Sequence, residues 1–150
     1  MDCVFCDLLQ SDTSQWVLRS RTVAVLAPLD PLAPGHMLVI PTAHYDDIFA
    51  MPSGLLAETM AMVQRLATAM RTALGAGGVN LLHASGPGSE QSVPHMHLHV
   101  VPRWQGDGFS TWPAERSRHR LAVDPGAVLG AVLASGGDGD MPAGEDERGT

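Results

Sequence analysis

No apolar run in this chain approaches the roughly 18 residues that a bilayer-spanning helix needs, and no basic-then-apolar segment opens it. That excludes the obvious membrane classes and sets the expectation of a soluble, cytoplasmic protein with no membrane partner. Basic character is scarce as well: nine Lys and Arg stand against sixteen Asp and Glu, for a formal charge of −7. A protein that grips nucleic acid through its phosphates needs a basic face, so nucleic acid is not an expected partner. A small anionic substrate held by local donors remains allowed. Cysteine is limited to Cys3 and Cys6. Their spacing rules out a disulfide framework but suits two ligands on one zinc ion.

What is present fits one domain. A chain of 150 residues, 45% of them hydrophobic, can bury about two-thirds of its unfolded surface in a single core. The stretch SGGDGDMPAGEDERGT from Ser135 onward has almost nothing to bury, which reads as a domain over 1–134 followed by a disordered, acidic, Gly-rich tail over 135–150. The tail holds Asp138, Asp140, Glu145, Asp146 and Glu147, so the folded part is closer to neutral than the whole.

TVAVLAP at 22–28 and HMLVIP at 36–41 are short and β-branched, and the loop LDPLAPG between them predicts a hairpin. After Pro52, Ser53 is a candidate N-cap for one long amphipathic helix closing at Gly75, with Met60, Met62 and Met70 as core fillers. VNLLHAS at 79–85 and HMHLHVVP from His95 read as two further strands. Strands without regularly interposed helices predict an α+β fold, an antiparallel sheet with the helix on one face.

The segment SVPHMHLHVVPR carries histidines at 95, 97 and 99 with apolar residues between. On a strand of period two the three imidazoles share one face, about 7 Å apart, while Met96, Leu98 and Val100 take the other. This is the geometry of an active site or a metal site. A neutral imidazole is a competent nucleophile towards phosphorus, and neighbouring imidazoles can hold its second nitrogen, donate to phosphate oxygens and help protonate a leaving group.

HMHLH, GHMLVIPTAH at 35–44 and SEQSV at 89–93 together resemble the histidine triad (HIT) family of nucleotide hydrolases and transferases, and CVFCDLL at 3–9 resembles its Hint-like bacterial branch. The resemblance spans roughly residues 3–113. It implies the HIT fold, with about five strands and a homodimer whose sheet continues across the two-fold. Within the triad of His95, His97 and His99, it implies that His97 carries the nucleotidyl group and His99 binds phosphate oxygens, with His36 as a further active-site histidine. Gln91 and Ser92 match the polar pair that meets phosphate and leaving group. His44 and His95 match positions that hold a structural zinc with Cys3 and Cys6. A histidine at the third triad position favours hydrolysis over transfer.

The implied activity is hydrolysis at the α-phosphorus of purine nucleoside phosphoramidates or related conjugates. The alternatives are a dinucleoside polyphosphate hydrolase, a non-catalytic nucleotide-binding scaffold, or a metal-dependent protein using HMHLH as ligands. Two departures stand out. Pro28 falls where an acid or amide usually meets the ribose, leaving Leu29 and Asp30 as the nearest nucleotide-binding candidates. His83, Ala84 and Ser85 replace a region that usually supplies an Asn, and Glu90 stands where Gly is usual.

Overall fold

The computed structural model describes residues 3–11 and 16–136. Short β-branched runs bounded by Gly, Pro and polar turns become the strands β1 (Trp16–Arg19), β2 (Val23–Leu26), β3 (Met37–Pro41), β4 (Gly78–Leu82) and β5 (Leu98–Arg103). They form one antiparallel sheet in the order β1-β2-β3-β5-β4, which is the expected α+β architecture of five strands. β2 and β3 make the expected hairpin, with Val23 opposite Pro41 and Leu26 opposite Leu38. The turn before β3 requires Gly35: its φ is +81°, and a Cβ there would sit 2.7 Å from Leu74 Cδ1.

Among the described residues the helices are α1 (Val4–Gln10), α2 (Ser53–Leu74) and α3 (Pro125–Ser135). α2 is the long helix of the sequence reading. Ser53 is its first residue and not its cap, because Pro52 takes the extended N-cap position and no side chain caps that end. Gly75 closes it in the left-handed conformation, φ 67°. Met62 and Met70 are buried as expected, but Met60 is 41% exposed, since it falls on the outer side of the helix. None of the helices is long and apolar enough to cross a membrane, among the described residues.

The middle of the sheet is buried on both faces. Val23, Val25, Val39, Met96, Leu98 and Val100 join Met62, Val63 and Met70 of α2 in one cluster. Ala24, Leu26, Leu38 and Ile40, which alternate with them, join Phe5 and Leu9 of α1 in a second. This is why β2 shows no half-exposed pattern. The sequence reading assigned no element to α1 or β1. Both are single short elements, and packing decides them more than periodicity does.

The expected strand from His95 starts later, at Leu98. Pro94 has no N–H to give a ladder, and the His95 N–H turns back to the Val93 carbonyl at 2.8 Å. The alternation survives without the ladder, because Met96 is fully buried in the α2 cluster and its N–H reaches the Tyr45 carbonyl at 2.6 Å. β4 likewise ends at Leu82, leaving His83–Ser85 outside the sheet.

The chain divides into a unit up to Thr111, holding every strand and the first two helices, and a unit from Trp112 that contains α3. α3 starts with Pro125 in its first turn, and the Asp124 side chain accepts from the Gly126 and Ala127 N–H groups. Ser135, expected in the tail, is the last residue of this helix. The expected tail from residue 137 onward lies outside the described residues.

Met96 sits between two site histidines and fills the core on the opposite face. Met96→Ala is expected to cost about 2–5 kcal/mol, the usual range for truncating a buried methionine. Urea unfolding should show a lower midpoint at an unchanged m-value.

Candidate active site

The face of the sheet opposite α2 opens into a cleft of about 750 Å³. Val4, Phe5 and Leu8 of α1 form one wall, and Pro28, Leu29 and Asp30 of the β2–β3 loop form another. Ser92, Val93, His97 and His99 complete the lining. His99 lies opposite Leu38 in the β3–β5 ladder, which puts both on the cleft face. Phe5 packs its ring edge-on against His97, centroids 5.4 Å apart, and against His95 at 5.6 Å.

Backbone partners determine which nitrogen of each imidazole carries a proton. His97 Nδ1 lies 2.7 Å from the His95 carbonyl, and a carbonyl only accepts, so Nδ1 is protonated and Nε2 keeps its lone pair. His36 works the other way. Its Nδ1 accepts the Leu32 N–H at 3.0 Å, so Nε2 holds the proton and donates to His99 Nδ1, also at 3.0 Å. His99 must then carry its own proton on Nε2. The cleft therefore presents a nucleophilic nitrogen on His97 beside an N–H donor on His99, with ring centroids 5.1 Å apart.

Burial keeps these imidazoles neutral. It lowers His36 and His97 from their ordinary values, against the pull of the His95 carbonyl on His97. His99 falls furthest, to about 4, through burial first and then the nearby His97, His36 and His83 rings. An isolated imidazole loses half its lone-pair population near pH 6.5. In this site the loss moves to more acidic pH.

A second cluster adjoins the first. One ligand atom each from Cys3, Cys6, His44 and His95 lies within 4.8 Å of all the others. His95 gives its Nε2–H to the Pro41 carbonyl at 2.9 Å and turns Nδ1 towards Cys3 Sγ at 3.4 Å and Cys6 Sγ at 3.7 Å. His44 gives Nε2–H to Asp46 at 2.9 Å and turns Nδ1 towards Cys6 Sγ at 3.2 Å. Each ring thus points a lone pair at the cysteine sulfurs, His95 at both and His44 at Cys6, with the outer nitrogens held as metal-binding histidines usually are. Burial, and then the neighbouring Cys3, push the Cys6 thiol up, so a thiolate on Cys6 calls for a cation beside it. This group could hold a metal ion.

The model of the HIT domain matches residues 10–106. The chain belongs to the HIT family. Among its relatives is the adenylylsulfatase HINT3 of Arabidopsis thaliana, 30% identical over 125 residues, which are 82% of this chain and 62% of that protein. Another is the adenosine 5′-monophosphoramidase HNT1 of Saccharomyces cerevisiae, 29% identical over 77% of this chain and 72% of that one. A zinc-bound histidine triad family protein from Mycobacterium smegmatis is similar in structure, with a TM-score of 0.69 at 34% identity, covering 89% of this chain and 94% of that one.

Within this HIT domain the residues singled out from the sequence separate into two groups. His36, His97 and His99 come together at the cleft, with Leu29, Asp30 and Ser92 on its lining. The His95 ring belongs to the cysteine cluster, and only its carbonyl serves His97. The Gln91 amide is occupied in loop bracing: it accepts from the Gly86 N–H and donates to the Asp46 and Val93 carbonyls. Glu90 adopts φ 65° and is exposed. HMHLH does not gather a metal set by itself, since His95 alone of the three belongs to a metal-holding group among the described residues. Sequence reasoning missed the apolar wall of Val4, Phe5 and Leu8. The apolar residues interleaved with Cys3 and Cys6 were its only signal.

Two outcomes are expected. His99 has its folded value depressed to about 4, so between there and 6.5 the unfolded chain binds a proton that the folded one does not. Its contribution to stability is therefore complete above pH 6.5 and is lost as pH falls towards 4; chemical denaturation across that window should show a shallower slope in His99→Gln than in the unaltered chain. Metal analysis should find about one bound transition-metal ion per chain, and Cys3→Ser with Cys6→Ser should release it and lower Tm, because binding to the folded form is folding free energy.

Proposed function

We propose that this chain hydrolyses purine nucleoside phosphoramidates or related nucleotide conjugates at the α-phosphorus, through a covalent nucleotidyl intermediate on His97. The observation that carries the reading is the pairing of a His97 Nε2 lone pair with a His99 Nε2–H, each enforced by hydrogen bonds from behind. Relatives named as an adenosine 5′-monophosphoramidase and an adenylylsulfatase support a nucleotide substrate.

His97 Nε2 attacks phosphorus as the bond to the leaving amine breaks, and the amine departs with a proton supplied from solvent. Ser92 is the hydroxyl on the cleft lining assigned to that end of the reaction. As charge builds on the non-bridging oxygens, His99 donates its Nε2–H to them. The His95 carbonyl stabilises the imidazolium character that develops on His97 by accepting from Nδ1. Water then attacks phosphorus, the P–N bond to His97 breaks, and the nucleoside monophosphate leaves. Splitting one displacement into two lowers the barrier of each.

The base would lie against Val4, Phe5, Leu8 and Val93, and Asp30 is the acid nearest the ribose hydroxyls, with Leu29 beside it. Two thiolates and two imidazoles suit a tetrahedral structural zinc on Cys3, Cys6, His44 and His95. That ion would tie the N-terminal helix to the sheet and take no part in bond breaking. A homodimer whose sheet continues across the two-fold is the further expectation, and the open edges at β1 and β4 are compatible with it.

His97→Ala should abolish turnover of adenosine 5′-phosphoramidate while leaving the protein folded, since one imidazole leaves a cleft wall and no core is opened. Intact mass after brief incubation should show an added adenylyl group on the unaltered chain and none on His97→Ala. Loss of less than about tenfold in kcat would count decisively against a covalent role, because removing a nucleophile ordinarily costs far more.

A further inference from the structure

His83 is buried in neither core nor metal cluster, and the proposed mechanism gives it no step. Its position is nonetheless specific. The β4–β5 ladder ends at the pair Leu82 and His99, and the β3–β5 ladder ends at Val39 and Leu98. The carbonyl of His97 lies beyond both, on a residue only 5% exposed, where an unmet backbone acceptor is costly. His83 Nδ1 reaches that oxygen at 2.7 Å. Nδ1 must therefore carry the proton, and Nε2 accepts from the Ser85 hydroxyl at 2.6 Å. Ser85 Oγ in turn accepts the Ile48 N–H at 2.9 Å. The donors run in one direction, from Ile48 through Ser85 and His83 to the backbone of His97.

From this we propose that His83, oriented by Ser85, is a positioning residue for the His97 nucleophile. The inference rests on the reading of His97 given above. His97 is held at two points: its ring by the His95 carbonyl and its own carbonyl by His83. Both are needed because the segment from His95 to His97 lacks the ladder bonds that steady β5. Without the second hold, the carbonyl of His97 loses its partner between the anchored Met96 and Leu98, and Nε2 departs from its line to phosphorus. Reaction rate is steeply sensitive to such misplacement, whereas binding of the base and sugar at the far walls is not.

The test compares His83→Ala, His83→Asn and Ser85→Ala with the unaltered full chain, all metal-loaded, using adenosine 5′-phosphoramidate and the imidazole ¹⁵N spectrum. Asn places its Nδ2 donor one bond from Cγ, as His places Nδ1, so it can rebuild the bond to the His97 carbonyl. His83→Ala should lower kcat about tenfold with KM changed by less than about twofold. It should also broaden the His97 Nδ1–H signal through faster exchange with water. His83→Asn should restore both kcat and the signal, and Ser85→Ala should fall between. An unchanged kcat in His83→Ala, a loss that Asn does not rescue, or a rise in KM that matches the fall in kcat would overturn the proposal. If the unaltered chain shows no turnover, it is the nucleotide-hydrolase reading that fails, and the spectrum then decides alone: a sharp His97 signal in His83→Ala overturns the positioning role, and a broadened one supports it. Should His83→Ala not fold, Ser85→Ala is read in its place by the same two measurements.

Discussion

The short hydrogen bond from His97 Nδ1 to the His95 carbonyl is the constraint on which the rest of the site depends. It settles the tautomer of the central imidazole and so decides which nitrogen faces the cleft with a lone pair. Everything around it serves to keep that bond in one geometry. Pro94 interrupts the ladder so that the segment can curve, Met96 anchors it in the α2 core, and Phe5 closes against the two rings from the other side. A regular strand would have committed the His95 carbonyl to a neighbouring N–H.

His95 joins two chemistries without mixing them. Its ring faces Cys3 and Cys6 and its backbone faces His97. The helix that carries Cys6 also carries Val4, Phe5 and Leu8 into the cleft wall, so the cysteine cluster and the cleft share a structural element as well as a residue. Seven residues of α1 are too few to be stable as an isolated helix. Its packing on Ala24, Leu26, Leu38 and Ile40, and a metal ion held with His44 and His95, are what can fix that wall.

Electrostatics follow from burial. Burial lowers His36, His97 and His99 from their ordinary values, with neighbouring imidazoles adding to the shift at His97 and His99, so the rings stay neutral where solution imidazoles begin to charge. A neutral ring can attack phosphorus or donate one proton, whereas a charged pair would repel and lose the lone pair. Asp30 is the sole acid on the cleft lining among the described residues.

The sequence by itself determined the face on which the histidines gather and the family to which the chain belongs. Alternation over HMHLHV separates imidazoles from core residues whatever the hydrogen bonding, because side-chain direction is a local property of extended backbone, and the hairpin and long helix are legible for the same reason. The C-x-x-C spacing likewise marked two of the four residues that could hold a metal ion, but the other two only through resemblance. What the tertiary structure decided was every partner distant along the chain. That His95 turns its ring to the cysteines, that Gln91 braces loops, that α1 walls the cleft, and that His83 meets the His97 carbonyl all depend on contacts between segments far apart, for which local periodicity carries no signal. The proton positions belong there too, since each imidazole's tautomer is set by a backbone carbonyl or N–H that only the folded chain brings within reach.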